Sequence, residues 1–280
     1  MANIKQGNAP KAKKEGGSNG GDMFSGLVIV ACIVVGFLIW YLVMGAGSNF
    51  QGGNNANQPL QDNYLGMVYK GGYIVPFLIG LLLMVVVFGI ERYMVISKAA
   101  GKGNLDLFMK KVQANVTSGD IDGAIDACDK QQGSVANAIK SGLLKYQAVK
   151  AEGLNSEAAT ETIHKEIEET TSLEMPMLEK HMTIISTLVS LGTLAGLLGT
   201  VTGMIKAFAG LAGGGGADSA ELANGISEAL INTATGISTS ALAIVVYNYF
   251  TSKIDTLTYS IDEAASTIVN TYRRFRGNVN

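Results

Sequence analysis

A band of polar side chains lies within two long apolar stretches in the last third of the chain. Thr200 belongs to the first stretch, and Glu228 and Thr233 belong to the second. An ionisable group at membrane depth is costly, which makes it a candidate for function. Lipid tails offer no hydrogen-bond partners to hydroxyl groups, so a band of hydroxyls favours a wet or polar seam between packed helices. These residue types indicate that some of the polar groups line a path.

The second stretch carries polar residues close to one helical face, at Glu228, Asn232, Thr235 and Thr239. Thr233 lies about 140° round the same helix from Glu228. Each hydroxyl either lines the seam or bonds back to a carbonyl of the preceding turn. Glu228 is either an interfacial carboxylate, hydrated or paired with Lys206, or a pore-lining and proton-sensitive group. The residues alone leave both alternatives open.

Four glycines on the first stretch form two pairs with a spacing of four, namely Gly192, Gly196, Gly199 and Gly203. Small residues at this spacing make a groove on one helix face, where a second helix can approach closely in lipid. We interpret these glycines as helix-packing residues. The glycine run at 213–216 lacks the Gly-Lys-Ser/Thr sequence of a phosphate-binding loop and predicts a flexible turn.

The composition favours an integral membrane protein without catalytic residues. Hydrophobic residues make up 48% of the chain and charged residues only 16%, as in chains that contain long apolar runs. The net charge of −2, with no basic block, gives no indication of nucleic-acid binding. Cys32 and Cys128 lie in unlike surroundings, and His164 and His181 lie on charged helix faces. We therefore predict no disulfide, metal site, cofactor or enzymatic activity.

The apolar runs predict an all-α membrane protein with four transmembrane helices, at 25–44, 72–96, 183–211 and 223–250. The remaining segments are a disordered N-terminus (1–22), loops at 45–71 and 212–222, a polar helical region (97–182) and a C-terminal helix (251–280). Long helices are expected to extend from the membrane into the polar region.

Several local features refine this plan. The first apolar core, Leu27 to Met44, exceeds the about 7–15 residues of a signal-peptide core, which favours a retained span over a cleaved signal. The second span is strongly apolar and predicts a lipid-facing helix. Asp120 follows a Ser-Gly turn signal as a helix cap. Pro176 predicts a kink in a long charged helix that otherwise continues into the third span.

The distribution of basic residues predicts the orientation. Lysines and arginines concentrate in the N-terminus, the polar helical region and the C-terminal helix, whereas the loops between spans hold only Lys70. The positive-inside rule therefore places both termini and 97–182 in the cytoplasm, and the two loops outside. Arg92 and Lys206 lie near span ends, where long side chains can snorkel to the interface.

Two motifs carry a family resemblance. AGLLGTVTGMIKAF (195–208) and NGISEALINTATGISTSALAIVVYNYF (224–250) resemble the MotA/TolQ/ExbB proton-channel family, most nearly its ExbB branch. GDIDGAIDAC in the polar region and ERYMVI at the end of the second span also fit. The resemblance covers about residue 73 to the C-terminus. The span at 25–44 is additional to the usual ExbB plan, and Thr193 stands where the family often has proline.

The resemblance implies a scaffold in the bacterial inner membrane, formed as a homopentameric ring. The ring would enclose two helices of an ExbD-like single-span partner that carries the proton-accepting aspartate, and a TonB-like protein would receive the work. Thr200 and Thr233 match the family's pore threonines, and Glu228 matches its pore carboxylate. A ring of hydroxyls can bond either protonation state of a carboxyl. A TolQ- or MotA-like role and a non-conducting scaffold are the alternatives.

Overall fold

The computed structural model of the protein describes residues 18–212 and 219–277. This described part is helical apart from turns and one isolated β-bridge between Phe50 and Pro59. Four helical stretches are long and apolar enough to cross a membrane, at Ser25–Met44, Ile74–Ser118, Ser156–Gly210 and Ala220–Phe275. The predicted all-α class with four spans is therefore confirmed. Most of the N-terminus predicted as disordered (1–17) and part of the predicted 212–222 link (213–218) lie outside the described residues.

The first two spans pack together through small residues. Helix α1 runs over Ser18–Leu38 and continues as a wider π-helical turn over Ile39–Met44, and α3 runs over Ile74–Ala100. Their backbones are so close that a Cβ on Gly36 would lie 2.5 Å from the carbonyl oxygen of Pro76. Such contact is how helices associate in lipid. Helix α1 is thus packed into the molecule through its small-residue face.

The residues between these spans form a folded segment, which we call the α1–α3 connector (residues 45–73). It contains two short 3₁₀ turns, Gly47–Asn49 and Gln51–Gly53, and the helix α2, Tyr64–Tyr69. Trp40 at the end of α1 stacks on Tyr69 with ring centroids 4.6 Å apart and donates to its carbonyl oxygen at 3.2 Å. The connector is therefore fixed to the end of α1.

Helix α3 differs from the lipid-facing helix that the sequence predicted. Half of its most apolar window is buried inside the protein, including Val75, Leu78 and Phe88. Because α1 covers one side of α3 and the long last helix covers another, only the remaining face, with Val86 and Ile90, is exposed. Uniform apolarity along a helix does not distinguish burial in protein from exposure to lipid.

Four helices form the polar region, namely α4 (Leu105–Ser118), α5 (Ile121–Gln131), α6 (Gly133–Glu152) and α7 (Ser156–Glu179). Their ends follow the turn signals of the sequence. Gly119 ends α4 with a left-handed φ of 84°, and Asp120 caps α5 by accepting from Gly123 N at 2.9 Å. Asn155 caps α7 in the same way, accepting from Ala158 N at 2.7 Å. The predicted cap at Asp120 is confirmed.

The last two helices extend through the whole molecule. Helix α8 spans Met182–Ala212, and α9 spans Ser219–Gly277 without a break. The second half of α9 packs on the polar region, where the rings of Tyr272 and Tyr146 make an edge-to-face contact at 4.9 Å. A continuous buried core results, which includes Ile139, Ile163 and Ile268. Helix α9 therefore belongs both to the span region and to the polar region.

The junction between α7 and α8 departs from two predictions. The helix was predicted to continue into the third span with a kink at Pro176. Pro176 lies inside α7, but the helix breaks at Lys180–His181, where His181 has a left-handed φ of 64°. Arg92 does not snorkel but is 1% exposed, pairs with Glu91, and donates to the carbonyl oxygen of Leu178 at 3.1 Å. A buried guanidinium thus satisfies the carbonyls that the end of α7 leaves open.

His181 also differs from the prediction that placed it on a charged helix face. Its side chain is only 8% exposed, and Nδ1 lies 3.2 Å from Oε2 of Glu91. The ring packs 5.2 Å from that of Phe88, and Nε2 has no hydrogen-bond partner among the described residues. His164, by contrast, is exposed beside Glu168 on α7, as predicted. The two histidines therefore lie in different environments.

Candidate functional site

Helices α8 and α9 pack backbone to backbone along the four glycines of α8. A Cβ on Gly196 would lie 3.1 Å from the carbonyl oxygen of Asn232, and one on Gly203 would lie 2.8 Å from that of Gly225. A Cβ on Gly192 would lie 2.7 Å from Oγ of Ser240. On Gly199 it would overlap the side chain of Asn232. All four predicted packing glycines therefore face α9.

This close packing brings Thr200 and Thr233 together. Their hydroxyl oxygens are in direct hydrogen-bond contact across the two helices, and both residues are half-buried. Each hydroxyl also lies within reach of a carbonyl on its own helix, Thr200 at 3.3 Å from Gly196 O and Thr233 at 3.1 Å from Ala229 O. Glycine at 196 and 199 is what allows two threonines to meet here.

The threonine pair has fewer hydrogens than possible bonds. Each hydroxyl carries one hydrogen, so the pair has two to distribute among the mutual contact and the two carbonyls. If Thr200 donates to Thr233, the carbonyl of Gly196 loses its hydroxyl donor. If Thr233 donates to Thr200 instead, the carbonyl of Ala229 loses its hydroxyl donor. Either threonine can be the donor, and each retains a free lone pair. The pair can therefore accept from, or donate to, a third polar group.

Other hydroxyls of the band behave differently. Thr235 donates to Ile231 O at 2.8 Å, and Thr239 donates to Thr235 O at 2.9 Å. Thr202 and Ser238 also donate to carbonyls of the preceding turn. For these residues the back-bonding alternative describes the contacts. A second interhelical hydroxyl contact joins Thr193 to Ser240 at 2.9 Å.

Glu228 lies on a different side of α9 from Thr233. Its Oε1 accepts from Nζ of Lys206 on α8 at 2.5 Å, and its side chain is 15% exposed against 57% for the lysine. A Cβ on Gly72 of the α1–α3 connector would lie 2.5 Å from the same oxygen. The structure therefore brings the two threonines together and places Glu228 apart from them, under the connector.

Asn232 is a further polar residue of the site, and its contact in the folded protein was not predicted from the sequence. Asn232 is 0% exposed, and its Nδ2 donates to the carbonyl oxygen of Gly71 at 2.9 Å. Its partner is 161 residues away in the sequence, so no local pattern could reveal the contact. Its position four residues after Glu228, on the same polar face, was the available signal.

The hydroxyl, amide and carboxyl groups of the site can form hydrogen bonds with water and with protonatable groups. Within 18–212 and 219–277, no three His, Cys, Asp or Glu side chains are close enough to hold a metal ion. The fold and the site define an all-helical, multi-pass membrane protein whose last two spans share a hydroxyl-bearing interface.

The model of one family, described as the MotA/TolQ/ExbB proton channel family, matches residues 131–263, which include Thr200, Glu228 and Thr233. The chain belongs to this family, as the resemblance predicted, and it is a membrane stator of the kind found there. The family is one of proton channels and not of known enzymes. The match begins at the last residue of α5 and ends within α9. The helices α1, α3 and α4, the α1–α3 connector, the rest of α5 and the end of α9 therefore lie outside it.

Relatives with different names share this part of the chain. The putative biopolymer transport protein ExbB-like 3 of Synechocystis is 30% identical over 51% of this chain and 70% of its own length. The Tol-Pal system protein TolQ of Pseudomonas aeruginosa is 27% identical over 56% of this chain and 69% of its own. The biopolymer transport protein ExbB of Pseudomonas putida is 25% identical over 50% and 42%, respectively.

Proposed function

We propose that this protein is the ExbB-like stator of a motor driven by the proton motive force in a bacterial inner membrane. Five copies form a ring around two helices of an ExbD-like single-span partner. The motor energises transport through the outer membrane by way of a TonB-like protein. Both termini and the polar region α4–α7 lie in the cytoplasm, and the α1–α3 connector lies in the periplasm.

The contact between Thr200 and Thr233 carries this proposal. It lies within the family-matched residues, and it is a half-buried hydroxyl pair with free lone pairs beside an exposed helix face. That face of α9 includes Leu230, Ala234 and Ile237, which a partner helix can cover. A carboxyl on such a helix can bond to the pair whether it is protonated or ionised.

The free energy for work comes from the membrane potential. One elementary charge that crosses 100 mV releases about 2.3 kcal/mol. The threonine pair does not hold a fixed charge, so it does not trap the ion that passes. The partner's carboxyl would change its charge at this level of the membrane, and the altered attraction to the ring would shift the partner helices.

Proton flux tests the role of the threonines. The full chain and its partner are reconstituted in liposomes, and proton entry is followed with a pH-sensitive dye under an imposed potential. We expect Thr200→Val and Thr233→Val to abolish flux while the oligomer retains its mass. Thr235→Val is the matched control, because its hydroxyl only bonds back to Ile231 O. Unchanged flux in both pore variants would favour a non-conducting scaffold.

Glu228 is the third proposed path residue. We expect Glu228→Ala to reduce flux, because the cavity between α9 and the α1–α3 connector would lose the carboxylate that α9 places beneath the connector. Wild-type flux in this variant would make Glu228 an interface residue that serves only to pair with Lys206.

A TolQ-like role in envelope maintenance is the second candidate. The TolQ relative covers 56% of this chain, a larger share than either ExbB-named relative described above. Deletion of the gene distinguishes the two. Loss of energised uptake with an intact envelope supports the ExbB-like role. Leakage of periplasmic proteins with normal uptake supports the TolQ-like one. A TonB-like gene next to a single-span partner gene would favour the first.

A further inference from the structure

Asn232 contacts three parts of the molecule. Two of them, α8 and α9, lie mostly within the family-matched residues, and the third, the α1–α3 connector, lies outside them. It lies on α9 immediately before Thr233, and its side chain packs against Gly199, which immediately precedes Thr200 on α8. Its Nδ2 donates to the carbonyl oxygen of Gly71 in the α1–α3 connector. One buried amide therefore links the connector to both helices at the level of the threonine pair.

The amide is only half satisfied. Its Oδ1 is buried and has no hydrogen-bond partner among residues 18–212 and 219–277. A buried polar group in this state is less favourable than an apolar side chain of similar volume, such as leucine. Packing of α8 against α9 therefore does not account for an asparagine here. What the amide provides, and leucine cannot, is the hydrogen bond to Gly71.

The bond to Gly71 holds a turn that lies directly over Glu228. Gly72 has a left-handed φ of 78°, and its Cα leaves no room for a Cβ against Oε1 of Glu228. A second, exposed contact joins Gln58 of the connector to Asn224 of α9 at 3.3 Å. The connector is therefore docked on α9 at two places, one buried and one at the surface.

The docked connector and the two helices line a polar cavity of about 670 Å³ that is open to solvent on one side. The connector contributes Asp62 and Lys70 to its wall, and the two helices contribute Lys206, Asn224 and Glu228. Asn232 lies one helical turn further along α9 from Glu228. A cavity with these charges is a favourable place for water, and Glu228, a residue of the proposed path, forms part of its wall.

We propose that Asn232 is a positioning residue that fixes the α1–α3 connector over Glu228, so that the connector forms the wall of the outer entrance to the ion path. This inference rests on the proposed function, because it assigns an entrance to that path. It makes the connector, which precedes the family-matched residues, a working part of the stator. Asn232 acts through the connector and does not touch the ion.

Docking and flux are measured separately in Asn232→Leu. Docking is followed by hydrogen exchange of the backbone amides around Gly71 in the intact oligomer, and flux is followed in liposomes as above. We expect exchange there to become faster and flux to fall, each on the order of tenfold, which is the effect of losing one good hydrogen bond. Thr239→Val is the matched control, since Thr239 is equally buried on α9 but bonds only to Thr235 O.

Asn232→Asp supplies a readout that a packing role would not change. A protonated carboxyl can donate to the carbonyl of Gly71 as the amide does, whereas a carboxylate cannot. We expect flux in this variant to approach the wild-type value as the outside pH falls and to decrease as it rises. The other titratable groups that face the cavity are unchanged in this variant, so its profile is taken relative to that of the wild type; they are Asp62, Lys70, Lys206, Glu221 and Glu228.

Each outcome decides the inference. Faster exchange with lower flux in Asn232→Leu, and a shifted profile in Asn232→Asp, support it. Unchanged exchange, or faster exchange with unchanged flux, overturns it while the proposed function stands. If Asn232→Leu fails to assemble, a profile of Asn232→Asp parallel to the wild type overturns it. If the wild type itself carries no flux, the proposed function fails, and the exchange result still shows whether Asn232 docks the connector.

Discussion

Lys206 and Glu228 form an ion pair between α8 and α9, with Nζ and Oε1 2.5 Å apart. The carboxylate is largely covered, whereas the lysine is more than half exposed. The pair lies under the α1–α3 connector, on a side of α9 about 140° from the one that carries Thr233. The three proposed path residues are therefore divided between a charged cavity and a neutral hydroxyl contact.

This division gives a first prediction, on the separate roles of the two charges. We expect Glu228→Gln to lower proton flux, because the cavity loses the Glu228 carboxylate, and Lys206→Met to lower it less. Exposure of the lysine limits the contribution of the pair to stability to about 1 kcal/mol or less. Both variants should therefore retain nearly the wild-type melting temperature. Equal flux losses in the two single variants, with recovery in the double variant, would show that only the pairing matters.

A second prediction concerns Arg92. Its guanidinium is buried, pairs with Glu91 and donates to the carbonyls of Met177 and Leu178 at 3.0 and 3.1 Å. Arg92→Met leaves both carbonyls without this donor and leaves Glu91, which is 25% exposed, with His181 as its remaining partner. Loss of hydrogen bonds to a charged group costs about 1.5–3 kcal/mol. We expect a large drop in the melting temperature in detergent. Lys98→Met, on an exposed position of the same helix, is the control. Equal melting temperatures for the two variants would contradict this role.

A third prediction concerns the glycines of α8. Gly199→Ala places a methyl group into the side chain of Asn232, so α8 and α9 must separate. We expect destabilisation of about 1–3 kcal/mol and reduced oligomer recovery on gel filtration. Gly89→Ala on α3 is the matched control, because its Cβ would lie 3.4 Å from Val246, which is ordinary contact. A stable Gly199→Ala oligomer would mean that the two helices can move apart without loss.

A fourth prediction concerns Cys128 in the polar region, outside the spans. Burial, and to a smaller degree the Asp129 carboxylate, raises the pKa of its thiol from 9.0 to about 12. The thiol should resist alkylation by iodoacetamide at about pH 8 in a Cys32→Ala background, where an exposed thiol is partly ionised. Unfolding in detergent should make it reactive. Rapid labelling of the folded protein would show that α5 opens readily.

The same pKa gives a stability effect whose sign follows from linkage. Below pH 9 the Cys128 thiol is protonated in the folded and the unfolded protein, so it contributes no pH dependence. From pH 9 toward 12 it ionises only in the unfolded protein, so stability falls by up to about 1.4 kcal/mol per pH unit. Cys128→Ala should fall less steeply over this range in thermal unfolding.

Local signals in the sequence predicted the helices and many of their ends. The cap at Asp120 and the left-handed glycine at Gly119 act within a few residues, so a local pattern contains them. The family and its hydroxyl-bearing motifs were likewise predictable from contiguous sequence. The environment of the uniformly apolar helix α3 was harder to predict, because its buried and exposed sides contain the same residue types.

Contacts between distant parts of the chain account for what the sequence did not predict. Arg92 finds its carbonyl partner 86 residues away, and Asn232 finds Gly71 161 residues away. The break after α7 occurs at His181 because Arg92 and Glu91 satisfy the groups exposed there.

Helix α9 is 59 residues long, and it connects Thr233 to Tyr272 over about 58 Å with no hinge between them. A continuous helix of this kind can transmit a movement from one end to the other. Any twist or tilt produced at the threonine pair is delivered to the far end with little loss, because there is no loop to absorb it. In the proposed motor, movement of α9 would therefore reach the polar region at the contact between Tyr272 and Tyr146.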